Sequence, residues 1–314
     1  MCSSDLAACG TAHQTCWVRG SDFRADLPAL MAAMDQPSID GVNVYFVSKV
    51  VAQAGLKVAL SGLGGDELFG SYPSYRQIPR LVRILGPLAA WPALGSSLGR
   101  AFRQVAAPFL QRHTSPKYAG LFEYGTTVGD AYLLRRGLFM PWELPQLLDP
   151  ELIRQGWAEL EPRLRLHEDS RGLRRSFTQV AALELAWYMR GQLLRDADWA
   201  GMAHSLEIRV PLVDVELFRA VAPLVTGSHP PHKRAMLDVA EAAVAAGAHG
   251  RHLPAAVWRR PKSGFTVPVR DWLHRHHDAA DPQPTDQQPD TAPARGLRDW
   301  ARYVFTDLGP VAAN

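Results

Sequence analysis

VALSGLGGDELFGSY, residues 58–72, is the stretch on which the reading of the whole chain turns. Val58, Ala59 and Leu60 run into a turn carrying Gly62, Gly64 and Gly65, and the acid pair Asp66 and Glu67 follows at once. Glycines let a backbone turn tightly and bring N–H groups close to an anion. Asp66 adds a hard carboxylate of the kind Mg²⁺ takes from a protein while phosphates fill its other positions. The plain alternative is a tight strand-to-helix turn with a surface Asp-Glu pair. It is not a Walker loop, because no Gly-Lys-Ser/Thr follows.

Upstream of this stretch, Asp40 stands where it can cap a helix whose apolar residues Tyr45, Phe46, Val47, Val50, Val51 and Ala54 recur at helical spacing. Gly55 marks its stop. Residues 56–60 then read as a short buried strand and residues 61–66 as the loop leaving its end. Helix, strand and glycine-rich loop form the repeating unit of an open parallel sheet, in which ligands bind outside the carboxyl ends of the strands.

Downstream, from about Tyr75 to Arg275, alternation of period two is almost absent and the chain reads as mostly helical. Phe177, Val180, Leu183, Trp187 and Leu194 mark one long amphipathic helix, and residues 215–225 mark another. Residues 84–99 are uncharged but contain Pro87 and Pro92 and fall short of the roughly 20 apolar residues a membrane span needs. A buried helical connection is the expectation there. DAADPQPTDQQPDTAPARG, residues 278–296, reads as a linker or loop. Trp300, Val304 and Leu308 predict a last short helix able to dock back.

Composition sets outer bounds. The chain has 314 residues, 47% hydrophobic and 21% charged, as in an ordinary globular protein with one large core or two smaller ones. A net charge of +3 is too small to argue for nucleic acid. Cys2, Cys9 and Cys16 form neither a disulfide framework nor a zinc-type spacing, so a reducing, cytoplasmic setting is expected. No secretory leader is read in the first residues, and neither a membrane nor a nucleic-acid partner is expected. His274, His276 and His277 border the linker and are read as solvated.

Two further stretches sharpen the opening one. In MAHSLEIRVPLVD, residues 202–214, Glu207 and Arg209 flank Ile208 in a region expected to be mostly buried, and their default reading is a structural ion pair at a helix end. In RRPKSGFTVPVRDWL, residues 259–273, Lys262 precedes Gly264, which allows an unusual backbone, and Phe265, which can anchor the loop. A lysine held so can place a point charge on a phosphate or a transition-state oxygen.

Taken in order, DQPSIDG (residues 35–41), VALSGLGGDELFGSY, MAHSLEIRVPLVD and RPKSGFTVPVRDWL resemble the synthetase domain of glutamine-hydrolysing asparagine synthetases, in the AsnB-like branch of amidotransferases. The resemblance covers roughly residues 7–273. It implies an α/β fold: a parallel sheet of adenine-nucleotide α-hydrolase-like (PP-loop) topology, incomplete at its N-terminal strands, followed by a mostly helical region. It also implies ATP and Mg²⁺. In the family, ATP activates a side-chain carboxylate as an acyl-adenylate, and ammonia from glutamine displaces AMP to form an amide. Ser61 and Gly62 match nucleotide contacts, with Gly64 and Gly65 in the same loop. Asp66 matches the magnesium ligand, and Lys262 matches the lysine that neutralises charge during adenylation and amidation. The implied small-molecule partners are ATP, aspartate or a related carboxylate, and ammonia. The resemblance leaves room for a homodimer of a longer parent.

Two departures stand out. Leu63 occupies the position where typical asparagine synthetases carry a glutamate important for forming the adenylate. An apolar side chain cannot accept a proton or a metal, so amidation of a carboxylate other than aspartate stays open. The family's Ser-Gly-Gly-x-Asp-Ser pyrophosphate loop and its glutaminase domain, which begins with a catalytic cysteine, do not occur in this sequence. Cys2 is followed by Ser-Ser-Asp-Leu, unlike a glutaminase start. MCSSDL can be encoded, from a GTG start, by the end of a common sequencing adapter, and residues 1–6 are read as an assembly artefact. The expected organisation is therefore a partial synthetase domain over 7–277, the linker over 278–296, and a C-terminal helix and tail over 297–314. A sheet lacking its first strands exposes an unpaired hydrophobic edge, so the isolated chain is expected to be poorly soluble and inactive. A non-catalytic helical interaction module is the alternative of a different class.

Overall fold

The computed structural model describes residues 10–91, 97, 99–105, 115–231, 233–248, 252, 267–274 and 293–308. In chain order the elements are α1 (Gly20–Ala33), α2 (Gly41–Gln53), β1 (Val58–Leu60), α3 (Gly65–Leu68), α4 (Ser74–Leu85), α5 (Leu121–Tyr124), α6 (Val128–Arg136), α7 (Pro150–Leu160) and α8 (Pro162–Ser170). There follow α9 (Ser176–Leu183), a π-helix (Glu184–Leu193), α10 (Leu194–Met202), β2 (Glu207–Arg209), α11 (Val215–Thr226), α12 (Lys233–Ala245), α13 (Val269–His274) and α14 (Pro293–Leu308). The protein is thus a mostly helical α/β structure with a small parallel sheet.

The chain divides into two compact units. The first holds residues up to 33, residues 40–71 and residues from 197 to 288; the second holds residues 34–39, 72–196 and those from 289 onward.

In the first unit, Val42, Tyr45 and Phe46 of α2 are buried on one face. Phe23 of α1 lies 5.4 Å from the ring of Trp272 on α13 and 6.5 Å from that of Phe46. Gly41 admits Trp199 so closely that a Cβ would come 2.2 Å from its Cζ2. Asp40 holds the cap position but makes no capping side-chain bond. The C-terminus of α2 closes on Gly55 at φ 82°, with Gly55 N–H donating to Ala52 O and Leu56 N–H to Val51 O. That pair of bonds is the glycine-dependent closure expected for this stop.

Closure explains why the strand is shorter than the sequence suggests. Leu56 is spent on ending the helix, and β1 begins at Val58. The strand pairs in parallel with β2, Val58 opposite Glu207, Ala59 opposite Ile208 and Leu60 opposite Arg209. No other strand flanks β1 among the described residues. Its expected burial is corrected: Leu56, Val58 and Leu60 are 55%, 39% and 76% exposed. Among the described residues the other side of β1 is unpaired.

The second unit is built on helices. Tyr75 and Ile78 of α4, Val128, Ala131 and Tyr132 of α6, Leu166 of α8 and Val180, Ala181 and Leu183 of α9 form one core. Thr127 caps α6 by accepting from Asp130 N–H, and Arg163 grips the Asp130 carboxylate through Nε and Nη2 at 2.6 and 2.9 Å. At the other end of α6, buried Lys117 donates to Arg135 O and Gly137 O at 2.8 and 2.9 Å. Burial, with Arg135 adding to it, lowers its pKa to about 8. In α14, Trp300 and Val304 are buried and Arg298 pairs with Glu143; the helix starts at Pro293, inside the stretch read as a linker, whose residues 278–292 lie outside the described residues.

Two sequence expectations change here. The amphipathic stretch beginning at Ser176 is interrupted by ten π-helical residues, a rare geometry. The stretch from residue 84 is largely exposed: Ile84, in the last turn of α4, is 64% and Trp91 67% exposed, although Leu85 is buried, and residues 92–96 and 98 fall outside the described residues. No described helix is long and apolar enough to cross a membrane.

Candidate functional site

The glycine loop leaves the carboxyl end of β1, where a parallel sheet places ligand chemistry. Ser61 N–H donates to Arg209 O at 2.8 Å, which carries the β1–β2 pairing into the loop. Ser61 Oγ accepts from Leu63 N–H at 3.3 Å and keeps its own proton to donate elsewhere. Gly62 faces open space: a Cβ there would meet nothing within 4 Å.

Gly64 is different. It sits at φ 96°, and a Cβ would lie 2.8 Å from Val213 Cγ2 and 3.1 Å from Leu212 O. Gly65 is nearly as tight, 3.0 Å from Leu212 Cδ1. Two of the sequence stretches singled out above are therefore in contact, with the loop lying directly on the Leu212–Val213 backbone. Asp214 then caps α11 by accepting from Leu217 N–H at 2.8 Å.

The two acids after the glycines point to different surroundings. Glu67 is buried at 1% exposure. Asp66 is half-buried and its Oδ1 accepts from Lys233 Nζ at 3.0 Å. Lys233 was not singled out from the sequence, although a signal was there. Lys233 and Arg234 put two cations in the first turn of α12, the end of a helix dipole that favours anions. Arg234 answers this locally by pairing with Asp238 one turn on, at 3.0 Å. Lys233 reaches across to Asp66 instead.

Glu207 and Arg209 are corrected. They stand on β2, not at a helix end, and both side chains are about three-fifths exposed at 59% and 60%. They bond each other through Arg209 Nε–Glu207 Oε1 at 2.8 Å, and this contact lowers the Glu207 pKa and raises that of Arg209. Lys262, Gly264 and Phe265 lie outside the described residues, as do His276 and His277. What is described of that stretch, α13, packs against α1, and Arg24 Nη1 donates to Trp272 O at 3.2 Å.

Among the described residues no three His, Cys, Asp or Glu side chains gather as a metal cage. A single carboxylate beside an open glycine loop is the donor set of a Mg²⁺ that brings its own phosphate ligands, so the residues present fit that ion.

The family profile for asparagine synthase matches residues 6–299. The chain belongs to the asparagine synthase family. A protein of Mycobacterium tuberculosis (strain ATCC 25618 / H37Rv), provisionally named a glutamine-hydrolysing asparagine synthetase, is 31% identical over 274 residues, covering 85% of this chain and 38% of that protein. Asparagine synthetase [glutamine-hydrolyzing] 1 of Bacillus subtilis (strain 168) is 28% identical over 272 residues, covering 85% of this chain and 40% of its own length. The chain therefore spans about two fifths of the length of these relatives. No solved structure gives a significant match. The family match takes in the glycine loop, the Leu212–Val213 backbone beneath it and Lys233.

Proposed function

We propose that the chain is the nucleotide-binding part of an ATP-dependent amide-forming ligase that adenylates a carboxylate and hands it to ammonia derived from glutamine. The observation that carries this reading is the half-buried Asp66 carboxylate at the end of β1, beside Gly62, where a Cβ would meet nothing within 4 Å. The long crossover between paired parallel strands agrees with a PP-loop type of sheet.

In this reading the carboxylate oxygen of the substrate forms a bond to the α-phosphorus of ATP as pyrophosphate leaves. Ammonia then adds to the acyl carbon, AMP departs and a proton is lost. Ser61 and Gly62 contact the nucleotide through the hydroxyl and the exposed backbone, and Gly64 and Gly65 hold the loop on its support. Mg²⁺, held by Asp66, would neutralise phosphate charge. Lys262 supplies the positive charge that both steps need, since such chemistry is mostly positioning and electrostatics. A cytoplasmic setting belongs to the same reading.

Leu63 favours a second version of this function. It is half-buried in the loop itself and offers neither a base nor a metal ligand. A carboxylate other than aspartate is then the group amidated. Carboxylate-dependent exchange of labelled pyrophosphate into ATP, measured on the chain within its longer parent, tests both versions. Exchange supported by aspartate selects asparagine synthesis, and exchange supported only by another carboxylate selects the second version. MgATP binding without exchange for any carboxylate would point to a non-catalytic module instead.

A further inference from the structure

The cation already on Asp66 has a consequence for how the site accepts magnesium nucleotide, and it rests on the nucleotide reading above. Lys233 Nζ bonds Asp66 Oδ1 at 3.0 Å, while the lysine side chain is 57% exposed and the carboxylate 22%. The pair joins residues 167 apart in sequence, so it is made by the fold and not by local geometry. We propose that Lys233 is a displaceable counter-cation of Asp66 that gives way when the metal arrives and then becomes a phosphate ligand of the bound nucleotide.

The argument is electrostatic. An ammonium and a divalent ion on the same carboxylate repel each other. A metal held by Asp66 would therefore weaken the Lys233 contact and favour movement of Nζ. Its exposed four-carbon stem allows that movement, and the nearest new anions are the phosphate oxygens the metal brings with it. A compact, strongly hydrated ammonium with three donors suits that task. Arg234 cannot substitute, since it is paired with Asp238 along its own helix. In the resting site the pair leaves no net charge; in the loaded site the same lysine offsets part of the phosphate charge.

The test uses the full chain with two probes, Mn²⁺ alone followed by electron paramagnetic resonance, and MgATP followed by calorimetry. Lys233→Met removes the competitor, so its affinity for Mn²⁺ alone is expected to rise, whereas its affinity for MgATP is expected to fall about tenfold, the fold-change of one charge-assisted hydrogen bond. Lys233→Arg keeps the charge and is expected to leave Mn²⁺ binding as weak as in the unaltered chain. Exposed pairs contribute little to stability, so both variants should fold. If Asp66→Asn weakens MgATP binding while Lys233→Met changes neither affinity, the proposal is overturned and the nucleotide reading stands. If Asp66→Asn also leaves MgATP binding unchanged, the nucleotide reading falls and takes the proposal with it.

Discussion

Replacing Arg136 by methionine is expected to destabilise the second unit by about 3–5 kcal/mol, the cost of stranding one member of a buried ion pair. The member stranded is Glu184, which has no exposed surface. It accepts from Arg136 Nη2 at 2.6 Å and Nε at 3.3 Å, from Tyr132 Oη at 3.3 Å and from Ser74 Oγ. The guanidinium lies against two rings, 3.6 Å from the centroid of Tyr188 and 4.8 Å from that of Tyr72. Burial works against its charge, but Glu184 outweighs burial and raises the Arg136 pKa. Burial, and then Glu184, raises the Tyr132 pKa, so that hydroxyl stays a donor.

Without Arg136 the two hydroxyls remain, and they cannot neutralise a carboxylate in the core. Arg136→Met combined with Glu184→Leu should cost less than Arg136→Met alone. Urea denaturation read at the tryptophans checks these values. A loss below about 1 kcal/mol, the range of exposed pairs, would show that the pair does not organise this core.

Gly64→Val carries the second large effect. A left-handed backbone costs an L-residue about 1–2 kcal/mol. Forcing extra methyls into a filled space costs about 1–3 kcal/mol more. Both apply here, at φ 96° with Val213 Cγ2 and Leu212 O in the way. The loop is expected to lift off the Leu212–Val213 backbone and lose nucleotide binding together with stability. Gly62→Ala is the contrasting variant. Nothing within 4 Å obstructs its Cβ, so stability should move by no more than about 0.5 kcal/mol. Its effect should fall on nucleotide affinity alone. Thermal unfolding and MgATP titration of the two variants separate loop architecture from ligand contact. Equal loss of stability in both would contradict this division.

How much of this was legible in the sequence depends on whether the signal was local. The helix over Gly41–Gln53 and its stop at Gly55 were readable, because apolar spacing and a left-handed glycine act within a few residues. The same holds for α11, announced by the spacing after Asp214, and for the glycine loop. Burial of β1 was misread because Leu56, Val58 and Leu60 are apolar while the surface that would cover them is supplied by no described element. Glu207 and Arg209 were misplaced because a three-residue strand exists only through its partner 149 positions away in the register Val58 to Glu207. Lys233 and Glu184 were missed for the same reason. Each is explained by a partner distant in sequence, and only a broken local rule hinted at either one: a cation at a helix start, and an acid within an apolar helical run.

The central claim is that the loop after β1 holds a magnesium nucleotide through Asp66. Equilibrium binding of MgATP to the chain within its longer parent, unaltered and as Asp66→Ala, tests it most directly. The account predicts Mg²⁺-dependent binding that Asp66→Ala abolishes while the fold, followed by circular dichroism, is retained. Binding of equal strength in both proteins, or binding indifferent to Mg²⁺, would contradict it.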